Sequence, residues 1–224
     1  MPLFFIEGNI GAGKSTLLRN LEDAVMFGSA DAHVVILEPV EEWCAMKDVY
    51  GTSIFEHFYA DMPRNGFTFQ IYILATRIKS ILDVVKTYPD KVVFCERSFL
   101  TDINIFAKGM RDSGTITDIE WRVFQHVHAF ITSEINIAID GVLYLRCDPD
   151  VCMQRIQVRG RGAEEAIERE YIQKLHDAHE DWYGAARLPK MTIDGNRDLR
   201  EAGHWADVQS DIVDFVRCNC RAGV

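Results

Sequence analysis

The sequence predicts an α/β fold, a parallel sheet of about five strands with helices on both faces. Three observations carry this expectation. Short, continuous apolar runs recur along the chain, longer segments of helical periodicity separate them, and a glycine-rich turn joins the first run to the first helix. Strands of a parallel sheet covered on both faces read as unbroken apolar runs rather than as alternating ones.

The elements follow in order. Residues 3–6 form the first run, after which Thr16, Leu17, Leu18, Leu21 and Val25 recur at helical spacing. A loop containing Gly28 and Ser29 leads to a second run at residues 34–37, which stops at Glu38-Pro39, where proline removes a backbone donor. Ile71, Leu74, Ile78, Ile81, Leu82 and Val85 mark one face of a long helix that ends before Pro89. Residues 92–95 give a third strand, and Ile119, Val123, Phe124, Val127, Phe130 and Ile131 mark another helix. Residues 142–145 give a fourth strand and residues 191–193 a weak fifth. No internal repeat or low-complexity linker divides the chain, so residues 1–217 read as a single domain and residues 218–224 as a C-terminal tail.

Composition bounds the function. The 224 residues are 48% apolar and 26% charged, enough to fill and cover one large core. A formal net charge of −10 argues against extended nucleic acid as a partner, so any nucleotide bound is expected to be small. Six cysteines without paired CxxC spacing suggest reduced thiols and a cytoplasmic setting. The apolar N-terminal run breaks at Glu7 and reads as a buried strand rather than a signal peptide or membrane anchor.

Residues 8–15, GNIGAGKS, fit GxxxxGK[ST] after a predicted strand and before a predicted helix. In such a P-loop the backbone N–H groups close around phosphate oxygens and the helix N-terminus adds partial positive charge. Lys14 reaches the β and γ groups, and Ser15 ligates magnesium. The loop identifies the phosphate donor and leaves the acceptor open, since switches, motor ATPases, nucleotide kinases and nucleoside kinases all use one. For the acceptor, Glu38 lies at the carboxyl end of the second run and Glu96-Arg97-Ser98 at the end of the third. Both belong to the edge where open parallel sheets bind ligands, which makes Glu38 a candidate base.

With these motifs in hand, the sequence resembles the deoxyribonucleoside kinase family, the group containing deoxycytidine, deoxyguanosine and broad-specificity deoxynucleoside kinases. The resemblance runs from residue 6 to about 182. It rests on EGNIGAGKST at 7–16, EPVEEW at 38–43, FTFQIY at 67–72, ERS at 96–98, RGR at 159–161 and LHDAHEDW at 175–182. It implies a P-loop kinase fold with an arginine-rich lid at about residues 155–168, and transfer of the ATP γ-phosphate to the 5′-hydroxyl of a deoxyribonucleoside in nucleotide salvage. It further implies ATP and Mg2+ as cofactors, no membrane partner, and a homodimer packed through helices.

Residue by residue, the resemblance makes Glu38 the general base with Arg97 beside it, and Lys14 a catalytic cation. Gly8, Asn9, Ile10, Gly11, Ala12, Gly13, Lys14, Ser15 and Thr16 would bind the donor, and Ser15 and Glu96 the metal. Arg159 and Arg161 match the lid. Arg155, four residues earlier on the same helical face, is expected to help contact ATP. Phe69 and Gln70 match residues that hold the base, Phe106 would supply the opposite aromatic face, and Trp43 would line the pocket. Tyr59 and Glu164 match residues that bind the sugar 3′-hydroxyl, with Glu165 as the alternative to Glu164. Arg77 and Asp102 match the deoxycytidine and deoxyguanosine kinase branch. As a bidentate pair they are expected to crowd the 5-methyl of thymine and to favour deoxycytidine and purine deoxynucleosides, while Ile73 narrows the same region. A nucleoside monophosphate kinase and a P-loop regulatory switch are the competing readings. Glu38 would repel an acceptor phosphate, and no guanine-reading NKxD-type segment is found for a switch. His176 and His179 are expected to pack or to face the surface rather than to bind metal.

Overall fold

The computed structural model describes residues 1–135, 137–164 and 167–220. In chain order the elements are β1 (Leu3–Glu7), α1 (Lys14–Glu22), β2 (His33–Ile36), α2 (Val40–Ala45), α3 (Ile54–Ala60), α4 (Met62–Thr87), β3 (Val92–Glu96) and α5 (Phe99–Thr101). A π-helical stretch (Asp102–Ala107) runs into α6 (Lys108–Asp112). Then come α7 (Asp118–Glu134), β4 (Gly141–Arg146), α8 (Pro149–Arg159), a 3-10 turn (Gly162–Glu164), α9 (Arg169–Ala185), β5 (Lys190–Asp194) and α10 (Ala202–Asn219).

All five strands pair in parallel, in the order β2-β3-β1-β4-β5. Alternate side chains of each strand feed opposite layers, as the two-residue period requires. Phe4, Ile6, Val92, Phe94, Leu143 and Leu145 join a core with Leu17 and Leu21 of α1, Ile156 of α8, Ile172 of α9 and Ile212 of α10. Leu3, Phe5, Val93 and Cys95 join the opposite core, with Leu74 and Ile81 of α4 and Phe124 of α7. A third apolar cluster, Trp43, Phe55, Phe58, Phe69, Ile73, Met110 and Ile116, lies off the sheet among α2, α3, α4 and α6. Among the described residues no helix is long and apolar enough to cross a membrane.

From β1 the chain crosses to β2 on one side, whereas β3 crosses over β1 to β4 on the other. The order therefore reverses at β1, where open α/β sheets form a ligand crevice at their carboxyl ends. The register Ile6↔Glu96 and Ile36↔Cys95 brings the ends of β1, β2 and β3 level, so whatever follows them meets in one place.

Several expectations shift. Val25 lies beyond α1 and is 65% exposed, because the chain turns at Met26–Ser29 through left-handed Phe27 (φ 53°) and buries Met26 instead. The second strand starts at His33 and ends at Ile36, one residue earlier than expected. The long helix begins nine residues before Ile71, at Met62, where Asp61 caps the Arg64 amide at 3.1 Å and Pro63 occupies the first turn. The apolar face of α7 is only partly buried. Phe124 joins the sheet-side core and His128 packs against Phe99, while Ile119, Val123 and Phe130 are 68%, 42% and 63% exposed. At the C-terminus α10 continues through Asn219, past the expected start of the tail, and residues 221–224 fall outside the described residues.

Candidate active site

At two P-loop positions a side chain could not fit. A Cβ on Gly8 (φ 150°) would lie 2.6 Å from the Leu145 carbonyl oxygen, and one on Gly11 (φ 78°) 2.5 Å from that of Cys152. The glycines thus let the loop fold down onto β4 and α8. Lys14 opens α1 and is buried, with Nζ donating to the carbonyls of Gly8 (3.2 Å) and Asn9 (2.8 Å). Burial, with the like charge of Arg97, pulls its ammonium down to about 8. Ser15 Oγ donates to the Glu96 carboxylate, at 2.9 Å from Oε1 and 3.1 Å from Oε2. This hard, all-oxygen pair fits Mg2+, which takes one or two protein oxygens and keeps waters and substrate phosphates as its other ligands. Among the described residues no group of three or more His, Cys, Asp or Glu side chains is placed to hold a metal. A cation at Ser15 and Glu96 would therefore be shared with the donor phosphates.

Beside the P-loop, Glu38 follows β2 and two guanidinium groups converge on its Oε1, Arg77 Nη2 at 3.1 Å and Arg97 Nε at 3.2 Å. Burial alone would raise this carboxyl, but Arg97, Arg77 and Lys14 outweigh it and hold the group below the ordinary glutamate range. Arg97 has a left-handed backbone (φ 61°). Its amide donates to Ile6 O (2.9 Å), its Nη1 to Gly8 O (3.0 Å), and its guanidinium lies 4.7 Å from the Phe106 ring centre. Arg77 departs from the expected bidentate pair. Its Nε donates to Asp102 Oδ2 (2.9 Å), while Nη1 reaches the Glu96 carbonyl (2.8 Å) and Nη2 reaches Glu38. One guanidinium thus ties the ends of β2 and β3 to α4, because the sheet order brings three acceptors around it.

These groups open into a cavity of about 770 Å³. Every described residue selected from the sequence lines it except Gly8 and Asn9, the first two of the P-loop, whose carbonyls accept from Lys14. At one end Phe58 and Phe69 stack at 4.5 Å, and Trp43 meets Phe69 edge-on at 5.8 Å while donating its Nε1–H to Thr76 Oγ1. Gln70 is buried there with no hydrogen-bond partner for its Oε1. An unpaired carboxamide oxygen in an aromatic slot is suited to pair with a flat heterocycle. Burial pushes the Tyr59 hydroxyl up, so it remains a donor at neutral pH.

The lid residues meet beside α3, where the charges of Glu164 and Arg159 act on the Tyr59 hydroxyl. Glu164 is buried and paired with Arg159 (2.5 Å) and Arg161 (3.5 Å). The alternative sugar contact, Glu165, lies outside the described residues. Arg155 lines the cavity, but its Nη1 is held by the carbonyls of Ala12 (3.0 Å) and Gly195 (2.6 Å), so it ties the P-loop to the loop after β5. His179 packs, as expected. It is fully buried, stacks on Tyr144 at 6.2 Å, and burial with the nearby charge of Arg97 pulls its imidazole down to about 3.

Sequence reasoning missed Phe55, Phe58, Tyr171, Arg19, Arg197 and Arg200, which also line the cavity. Arg197 and Arg200 follow β5 at the same sheet edge as Glu38, so the strand-end rule could have found them. Tyr171 carried no local signal.

With that geometry established, comparisons with known proteins bear on it. A family model described as deoxynucleoside kinase matches residues 4–218. A probable deoxycytidine kinase of Fowlpox virus (strain NVSL) is 33% identical, over 94% of this chain and 86% of its own length. Deoxycytidine kinase 2 of Gallus gallus is 33% identical over 87% of this chain and 82% of its own length. The mitochondrial deoxyguanosine kinase of Xenopus laevis is 31% identical over 79% and 71%.

Proposed function

The chain belongs to the deoxynucleoside kinase family, and on that premise we propose that it moves the γ-phosphate of ATP onto the 5′-hydroxyl of a deoxyribonucleoside, with Glu38 as general base. As a kinase of this family it uses a nucleotide phosphate donor. ATP is the donor proposed here, on the P-loop and the lid arginines. The observation that carries the reading is the placement of Glu38, an ionised carboxylate between the P-loop and the aromatic slot around Gln70.

Both guanidinium groups engage Oε1, so Oε2 is the oxygen that would take the hydroxyl proton. Lys14, Arg159 and Arg161 would meet the charge that spreads over the oxygens of the moving phosphoryl group. Mg2+ held through Ser15 and Glu96 would screen the donor phosphates and orient them. Phe69, Phe106 and Gln70 would hold the base, and Tyr59 and Glu164 the 3′-hydroxyl. A monophosphate acceptor fits less well, because Glu38 would face its phosphate. Labelled γ-phosphate distinguishes the readings by thin-layer analysis: deoxynucleoside monophosphate is expected, whereas diphosphate or free phosphate would reject the proposal.

Deoxycytidine and purine deoxynucleosides are proposed to be favoured over thymidine, because Arg77 and Asp102 are buried and fix the wall where a 5-methyl would lie. Replacing both, Arg77→Met with Asp102→Ala, avoids stranding one buried charge. Arg77 also holds Glu38, so the double variant is expected to slow on every substrate. The ratio of kcat/KM for thymidine over deoxycytidine should nonetheless rise about 10-fold or more. A wild type that already favours thymidine would defeat the assignment.

A homodimer is proposed on the exposed apolar residues Ile119, Val123 and Phe130 of α7. Sedimentation as a monomer at micromolar concentration would exclude it. Six unbonded thiols support a reducing, cytoplasmic setting, and a chain recovered in an oxidising compartment would contradict it.

A further inference from the structure

Glu7 ends β1, one residue before the P-loop, and its side chain is fully buried. An apolar residue would serve the strand equally well and avoid the desolvation of a carboxylate. Burial pushes this carboxyl up to about 7, against the opposing pull of Arg97, Ser98, Arg77 and Thr101, and its Oε2 has no hydrogen-bond partner.

The other oxygen is engaged. Oε1 accepts from the Ser98 amide at 2.8 Å and from the Thr101 hydroxyl at 3.0 Å, and Ser98 Oγ accepts in turn from the Thr101 amide at 3.2 Å. The residue just before Ser98 is Arg97, whose positive φ is unfavourable for a residue with a side chain and persists only when its surroundings impose it. The two amides flanking its Cα are both anchored on the end of β1. Its own is held by the Ile6 carbonyl, and that of Ser98 by Glu7.

We propose that Glu7 is a positioning residue for phosphoryl transfer, holding Arg97, through Ser98 and Thr101, in the backbone conformation that sets its guanidinium against Glu38. The proposal rests on the reading of Glu38 and Arg97 given above. Glu7 touches neither substrate nor reacting atoms, so its effect is on rate through geometry. Misplacing a catalytic group by a fraction of an ångström to an ångström lowers rate more than affinity.

The test compares kcat and KM for ATP and deoxycytidine in Glu7→Ala, Glu7→Gln, Thr101→Val, Arg97→Ala and the Glu7→Ala/Arg97→Ala double variant. Glu7→Ala is expected to lower kcat roughly 10- to 100-fold with each KM within about threefold. Glu7→Gln keeps a carbonyl oxygen for Ser98 and Thr101 and should recover most of that loss. The double variant should be no slower than Arg97→Ala alone, since the two residues act as one unit. Wild-type kcat in Glu7→Ala, or losses that multiply with those of Arg97→Ala, would overturn the proposal. If Glu7→Ala does not fold, Thr101→Val decides. A severalfold loss of kcat that vanishes in a Thr101→Val/Arg97→Ala double variant made for this purpose is expected, and an unchanged kcat in Thr101→Val overturns. Full kcat in Arg97→Ala would instead remove the underlying reading of Arg97, an outcome distinct from a normal Glu7→Ala beside a slow Arg97→Ala.

Discussion

Lys14→Ala is expected to abolish phosphoryl transfer to every deoxynucleoside while leaving the protein folded. Its ammonium opens α1 inside the P-loop, where the donor's β and γ groups would be read under the proposed assignment, and so would work on charge that every acceptor shares. Losing such a contact in a water-poor site costs about 3 kcal/mol or more in the transition state, over 100-fold in rate. The fold should tolerate the change. Two hydrogen bonds to Gly8 and Asn9 disappear, but so does the desolvation of a buried cation, and Leu17, Leu18 and Leu21 still anchor the helix. Urea midpoints supply a control. With the folded pKa near 8 and the unfolded one near 10.5, the unfolded chain binds more protons between those values, so Lys14 adds stability as pH rises across that window. The variant should lack this gain. Near-normal single turnover of ATP and deoxycytidine in a folded variant would refute the donor assignment.

The sheet was legible because β1, β3 and β4 are buried on both faces and leave unbroken apolar runs, and the P-loop fixes where the first ends. The same logic placed Glu38 and Glu96, since strand register alone brings their positions level. Elements held by capping and packing were less visible. The first turn of α4 reads Met62-Pro63-Arg64-Asn65-Gly66, without apolar periodicity, and depends on Asp61 and on the approach of Gly66 to Met110. On α7 the sequence reveals an apolar face but not how much of it the monomer covers.

Within the site, spacing could place Arg77 on the face of Gln70. It could not foresee that the guanidinium divides among Asp102, Glu38 and the Glu96 carbonyl, which lie up to 39 residues away in sequence. Arg155 repeats the lesson, since its acceptors Ala12 and Gly195 come from opposite ends of the chain. Glu7 registered in the sequence only as a charge that interrupts an apolar run. The partners that give it meaning, Ser98 and Thr101, lie more than 90 residues on and arrive through the β1 and β3 pairing.

Glu38→Gln is expected to keep deoxynucleoside affinity within about threefold and to lower kcat by roughly 100-fold. The two effects separate because glutamine preserves shape. Its carbonyl oxygen can still accept from Arg77 and Arg97, and Asp102 still balances Arg77. What disappears is the proposed proton acceptor. Positioned general bases contribute about 10²- to 10⁴-fold, and two arguments place Glu38 at the lower end. Arg97, Arg77 and Lys14 together overcome burial and hold its carboxyl below the ordinary range, which makes it a weaker base than a free glutamate. Phosphoryl transfer through a loose transition state also asks little of the attacking oxygen until late in the reaction. The same pairing fixes the pH dependence. Because the folded carboxyl titrates below the usual glutamate value of about 4.3, Glu38 should stay ionised and impose no acid limb on kcat/KM between about pH 8 and 5. Steady-state kinetics of wild type and variant across that range, with deoxycytidine binding measured separately, test each part. If kcat and affinity are both unchanged in the variant, Glu38 is not the base, and an acceptor that already carries a phosphate becomes the better reading.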